Sequence, residues 1–197
     1  MDVERRTATI NDKFLIGERI YLRPLKEDDV HGPYLTWFND PEVCRWNRHH
    51  IFPYTIDEGL AYIRKLKGNQ RKLVLALVCN NKEMHIGNIA LDKIDITSRS
   101  AEFTILIGDR SYWGKGYGKE AARLICDHAF LRMNIHRIGC GMIEGNVAMM
   151  KLATHLGMVQ EGRRREAFFN QGRYFDIIEY GIIKMEYLKR FKLFLFK

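Results

Sequence analysis

Three of the chain's 16 glycines fall within five positions, Gly114-Lys115-Gly116-Tyr117-Gly118, directly before an apolar-periodic stretch. No other segment restricts the fold as tightly. Glycine permits positive φ and lets a ligand approach the main chain closely. A helix N-terminus leaves N–H groups without partners, and its dipole favours negative charge there. A glycine loop that opens a helix is therefore either an anion site or an ordinary tight strand-to-helix turn. Either way a strand must end before the loop and a helix must begin near Tyr117, and the flanks have to decide which it is.

The flanks alternate in character along the chain. Residues 1–16 read as a flexible N-terminal arm, and 19–23 (RIYLR) alternate like a strand stopped by Pro24. Residues 26–38 read as a helix with Val30, Tyr34, Leu35 and Phe38 on one side, broken by Asn39-Asp40-Pro41. Thr55 and Glu58 have capping-box spacing and open a helix with Leu60, Ile63 and Leu66 inward. Strands follow at 73–79, 85–94 and 101–107, then the glycine loop, then a helix from Tyr117 to about Met133. A strand at 136–143 precedes a short helix at 146–156 closed by Gly157. Segments 165–169 and 173–183 flank Asn170-Gln171-Gly172 as a hairpin. This order predicts a mixed α/β (α+β) sheet with helices on both faces, in a single domain over 17–187 followed by a basic, apolar tail at 188–197.

Two common phosphate loops are excluded by spacing. Walker A requires Ser or Thr after Gly-Lys, and Glu120 follows Gly118-Lys119. The dinucleotide fingerprint requires a third glycine two residues past Tyr117, where Lys119 stands. What remains, Trp113-Gly114-Lys115-Gly116-Tyr117-Gly118 after a late strand, resembles the signature loop of the GNAT superfamily of acetyl-CoA-dependent N-acetyltransferases. The tryptophan in first place is similar to the RimJ/RimL-type (ribosomal-protein acetyltransferase) branch. The resemblance extends over RIYLRPLKEDDV, GNVAMMKLATHLGM and EGRRREAFFNQGRYFDIIEYGI, about residues 18–187. It implies a mostly antiparallel central sheet with acetyl-CoA in a cleft between splayed central strands. It also places the cofactor's pyrophosphate on Trp113, Gly114, Lys115, Gly116, Tyr117, Gly118 and Lys119, its pantetheine arm on the main chain near Ile105 and Ile107, and a further contact on Asn146. By itself Asn146 is also a good helix N-cap.

Direct attack of an amine on a thioester needs a neutral amine, a placed carbonyl and donors for the oxyanion, but no Ser/His/Asp or Cys/His set. Many family members hold a glutamate on the strand before the loop, which makes Glu102 the candidate base; a plain solvent-facing strand carboxylate is the alternative. Alternation puts Glu102, Thr104 and Leu106 on one face and Phe103, Ile105 and Ile107 on the other. The family's general-acid positions are Ala153 and Met149 in this chain, so no acid is assigned; Tyr174 and Tyr180 are substitutes or hairpin packing.

The resemblance builds the acceptor site from the first helices and the closing hairpin, here Trp37, Asn39, Asp40, Trp46, Arg48, Tyr174 and Asp176. A small amine, of amino-sugar type, is the leading acceptor and a protein N-terminus the next. A catalytically silent coenzyme A-binding domain is the alternative from another class. The net charge of +8 suits an anionic partner, but basic residues are spread along the chain, so a phosphorylated cofactor is expected rather than nucleic acid. Cys44, Cys79, Cys126 and Cys140 show no ligand spacing, and no metal is expected. No apolar run approaches the roughly 20 residues of a membrane span and the first residues lack a secretory core, so a cytoplasmic protein is expected. The tail has no clean amphipathic stripe and is expected to pack on the domain or on a second copy in a homodimer.

Overall fold

The computed structural model describes residues 12–193, so most of the N-terminal arm and the last four residues lie outside it. Eight strands are formed: β1 (Leu15–Ile16), β2 (Ile20–Pro24), β3 (Leu73–Cys79), β4 (Met84–Asp95), β5 (Ser100–Ile107), β6 (Arg137–Ile143), β7 (Val159–Asn170) and β8 (Arg173–Ile183). They lie in one sheet in the order β1-β2-β3-β4-β5-β6-β8-β7. Every neighbouring pair is antiparallel except β5 and β6. A parallel pair needs a crossover, and α3 (Tyr117–Leu131), entered through the glycine loop, supplies it. The remaining helices are α1 (Tyr34–Phe38), α2 (Ile56–Leu66), α4 (Val147–Leu156) and α5 (Lys184–Arg190).

The sheet is covered on both faces, which explains why β3 reads LVLALVC with six of its seven residues buried. One core joins Leu22, Leu77, Phe103, Ile125, Phe130 and Tyr187 under α3, α4 and α5. The other joins Tyr21, Tyr34, Trp37, Ile63 and Val78 under α1 and α2. The alternation expected on β5 holds: Phe103 is in the first core with Ile105 and Ile107 packed on it, and Leu106 packs on the second. No helix among the described residues is long and apolar enough to cross a membrane.

Local signals placed several ends correctly. Thr55 and Glu58 form the reciprocal capping box of α2. Gly157 ends α4 at φ 88. Gln171 and Gly172 both have positive φ (49 and 79), and Asn170 pairs with Arg173 in a two-residue hairpin. Three expectations need correction. The helix expected over 26–38 is two pieces, a 3-10 turn at Glu27–His31 and α1. Pro33 between them has no N–H to donate and disfavours helix in the residue before it. Leu15–Ile16, assigned to the arm, form an edge strand on β2. β7 begins at Val159 rather than 165, because bulges at Gln160/Gly162 and Arg164/Phe168 interrupt its alternation without ending its pairing. The tail's start continues into α5, where Leu188 is buried and Phe191 and Leu193 pack on the first core.

Candidate active site

β5 is paired with β4 from Ser100 to Ile107, yet it meets β6 at only three positions: Ser100 with Arg137, Ala101 with Ile138, and Glu102 with Gly139. Beyond that point the strands part, while the other edge of β6 stays paired with β8 along its whole length, from Arg137 opposite Ile183 to Ile143 opposite Ile177. The sheet therefore opens in a wedge with Glu102 and Gly139 at its apex. Backbone N–H and C=O groups facing such a gap need partners, and an extended ligand arm lying between the strands supplies them.

The glycine loop stands where β5 leaves the sheet. Gly116 is the N-cap of α3 at φ 87, and Gly114 has φ 70 with nothing within 4 Å of where a side chain would start. Both backbone conformations favour glycine. Gly118 lies over the strand, its missing Cβ 3.7 Å from Ile105 and 4.0 Å from Ile107. The first-turn N–H groups of α3 thus sit beside the mouth of the wedge, an arrangement suited to a diphosphate. The Trp113 indole donates to the Ile107 carbonyl at 2.7 Å and ties the loop to the strand end. That carbonyl is thereby engaged. Lys115 and Lys119 have exposed side chains, and Tyr117 packs edge-on against Tyr112. Asn146 caps α4, its Oδ1 accepting from the Met149 N–H at 3.1 Å.

On the sheet face carrying Glu102 the wedge widens into a groove of about 1140 Å³. Glu102 is half exposed and lies 2.8 Å from Lys93 Nζ. Lys93 reaches it from a bulge in β4, where its own φ is 50. Asp92, directly opposite Glu102 in the register, binds Lys72 at 2.9 Å and accepts from Thr104 Oγ1 at 3.3 Å. Glu179 holds Arg164 at 2.8 Å on the far wall. Trp46, Cys140 and Tyr180 also line it. Burial, then the nearby Glu102 and Glu161 carboxylates, push the Cys140 thiol up to about 12. It is therefore protonated and no nucleophile at neutral pH.

Of the expected acceptor residues, the structure brings Trp46 and Arg48 into this groove with Glu102 and leaves the rest out. Trp37 is 4% exposed, packed edge-on to His85 at 4.9 Å and against Gly108. Asn39 spends its amide on the Tyr54 backbone, donating to its carbonyl and accepting from its N–H, both at 2.8 Å. Asp40 caps a turn by accepting from the Glu42 N–H at 2.8 Å. Asp176 pairs with Arg163 and accepts from the Glu166 N–H at 2.8 Å, stitching the second bulge of β7. Tyr174 stands at the hairpin end against Phe169, away from the groove, whereas Tyr180 lines it. Short polar side chains at turns and bulges satisfy local backbone first. Asp92, Lys93 and Glu179 were not singled out from sequence. The signal for Asp92 was its place opposite Glu102, visible only once the register of β4 on β5 is known.

A family model described as an acetyltransferase (GNAT) domain matches residues 19–159. The uncharacterized N-acetyltransferase p20 of Bacillus licheniformis is 27% identical over 88% of this chain and 97% of its own length. The spermidine N(1)-acetyltransferase of Escherichia coli is 26% identical over 88% of this chain and 90% of its own. Among solved structures, the spermidine N-acetyltransferase of Vibrio cholerae, in complex with CoA and spermine, superposes with a TM-score of 0.79 and 26% identity. That superposition covers 87% of this chain and 99% of the other.

Proposed function

The chain belongs to the GNAT acetyltransferase family and is an acetyl-CoA-dependent N-acetyltransferase; from that premise we propose how its own residues act and what it acetylates. The observation that carries the reading is the wedge between β5 and β6 with the glycine loop at its mouth. Acetyl-CoA supplies the acetyl group as a thioester. Its diphosphate rests on the backbone of Gly114, Lys115, Gly116, Tyr117 and Gly118, with Lys119 and Lys115 adding charge and Trp113 bracing the loop. Its extended arm takes the edges of β5 and β6 that part beyond Glu102, near Ile105 and Ile107, with the Ile107 carbonyl staying on Trp113, and Asn146 contacts it from the start of α4. Glu102, at the apex, receives the proton of the attacking amine, directly or through one water.

The acceptor is a small amine. A putative ribosomal N-acetyltransferase of Bacillus subtilis matches about half of this chain, whereas spermidine enzymes match over most of it. We therefore move the leading acceptor from an amino sugar to an aliphatic di- or polyamine. Three groove carboxylates support this. Glu102, Asp92 and Glu179 are each held by one long basic side chain, which an incoming ammonium group can replace with little reorganisation. Release of thiol from acetyl-CoA, followed with spermidine, putrescine, glucosamine and a short peptide with a free N-terminus, tests the reading. Turnover is expected to be fastest with the polyamines. A preference for glucosamine would restore the amino sugar, and a preference for the peptide would overturn the small-amine reading.

A further inference from the structure

We propose that Arg19 is a positioning residue for the diphosphate of coenzyme A, acting through the glycine loop and through the charge of Glu120. This rests on the acetyl-CoA reading of that loop. Arg19 leads into β2, almost a hundred positions before the loop, yet it holds the loop from outside at several points. Its backbone N–H donates to Glu120 Oε1 at 2.8 Å and its Nε to Oε2 at 2.9 Å. Its Nη1 donates to the Lys115 carbonyl at 3.0 Å. The guanidinium lies 4.7 Å from the centre of the Tyr117 ring, and Nη2 is 3.2 Å from where a Cβ on Gly116 would stand. Gly17 leaves the room: a Cβ there would sit 2.5 Å from Glu120 Oε1.

Two consequences follow for an anion in the loop. The Lys115 carbonyl and the Gly116 N–H belong to one planar trans peptide and point in opposite directions. Fixing the carbonyl on Arg19 therefore turns that N–H to the side away from Arg19. The second consequence is electrostatic. Glu120 lies in the first turn of α3 with only 16% of its side chain exposed, so solvent screens it poorly and its charge would oppose a diphosphate. Arg19 neutralises it. Arginine suits this task because its planar fork reaches a carboxylate and a carbonyl at once, which an ammonium group on a single stem does not.

The experiment measures coenzyme A binding by titration calorimetry and steady-state kinetics for Arg19→Ala, Arg19→Lys and the double variant Arg19→Ala/Glu120→Gln. Kinetics are run with acetyl-CoA and with S-acetylpantetheine, which has the thioester but no diphosphate. Arg19→Ala is expected to weaken coenzyme A binding about tenfold. KM for acetyl-CoA should rise in parallel while kcat stays within about twofold. Turnover of S-acetylpantetheine should not change, and the double variant should regain part of the lost affinity because the uncompensated carboxylate is gone. Arg19→Lys should fall between wild type and Arg19→Ala, and it carries the test if the alanine variant does not fold. Equal losses with both thioesters would make Arg19 a structural staple and overturn the proposal, as would unchanged affinity. Wild type without affinity for coenzyme A would overturn the reading of the loop, and this proposal with it.

Discussion

Glu102 holds Lys93 at 2.8 Å at the point where the sheet divides, so its task is set by which cation it faces. If it takes the proton of the amine, Glu102→Gln should lower kcat roughly 10²-fold, the usual worth of general base catalysis. Coenzyme A affinity should stay unchanged, and the limb of the pH–rate profile that belongs to the carboxylate should vanish. A variant within about threefold of wild type and with the same profile would leave Glu102 a strand residue and assign the proton to solvent. Gly116 is the second residue whose role is separable. At φ 87 with Arg19 pressed on its Cβ direction, Gly116→Val should abolish coenzyme A binding. It should also cost about 1–2 kcal/mol for the left-handed backbone, so the fold pays more than the glycine pattern alone suggested. Gly172→Ala, at φ 79 in the hairpin turn with open space around it, is the control: a similar fall in Tm with coenzyme A affinity intact. Retained affinity in a folded Gly116→Val protein would count against the loop as a phosphate site.

Among the elements, α4 tests whether a cap and a ligand contact coexist in one side chain. Asn146 uses its Oδ1 on the Met149 N–H, which leaves its amide N–H groups to donate elsewhere. Serine caps a helix about as well as asparagine but offers no amide. Asn146→Ser should therefore keep Tm close to wild type, while Asn146→Ala loses about 1 kcal/mol. Both should raise KM for acetyl-CoA. An Asn146→Ser protein with unchanged KM would make the residue a cap and nothing more. The broken helix before α1 and the bulged β7 belong to this scale as well. Pro33 divides one apolar stripe into two elements, and Asp176 holds a bulge whose Glu166 has φ 49. Both features turn residues expected in a single helix or in the acceptor site to local structure instead.

For the molecule as a whole, the second core is organised around a buried charge network rather than apolar contacts alone. Asp29 accepts from Arg23 through both oxygens at 2.9 and 2.6 Å and lies 3.5 Å from His85 Nδ1. His85 in turn packs on Trp37, which presses on Gly108 just past the end of β5. Burial works against the charge on Asp29, but the hydrogen bonds from Arg23 and His85 outweigh it and hold the carboxyl far below the usual carboxylate range. A lowered carboxyl stabilises the fold above the unfolded value, about pH 4, and that contribution fades as the pH falls below it. Asp29→Asn, which strands Arg23 without its partner, should cost about 3–5 kcal/mol at pH 7. The gap to wild type should narrow at pH 3, as read by denaturant unfolding at the two pH values. A gap that is constant with pH would mean that the Asp29 charge is not what the fold uses.

Much of this architecture was legible in the order of residues. The glycine cluster required a strand–loop–helix unit, period-two alternation on 101–107 assigned Glu102 and Phe103 to opposite faces, and Thr55, Gly157 and Gln171-Gly172 marked their ends. These signals act within a few residues, where sterics and backbone hydrogen bonding set the conformation. The site itself depends on longer distances. Only the folded chain decides that β5 and β6 pair no further than Glu102 and Gly139, that Asp92 faces Glu102, and that Arg19 meets Glu120. Only packing decides that Asn39, Asp40 and Asp176 serve the backbone while Trp46 reaches the groove. Periodicity shows which face of an element is apolar; register, splay and the meeting of distant charges follow from how whole elements pack, which no short stretch of sequence contains.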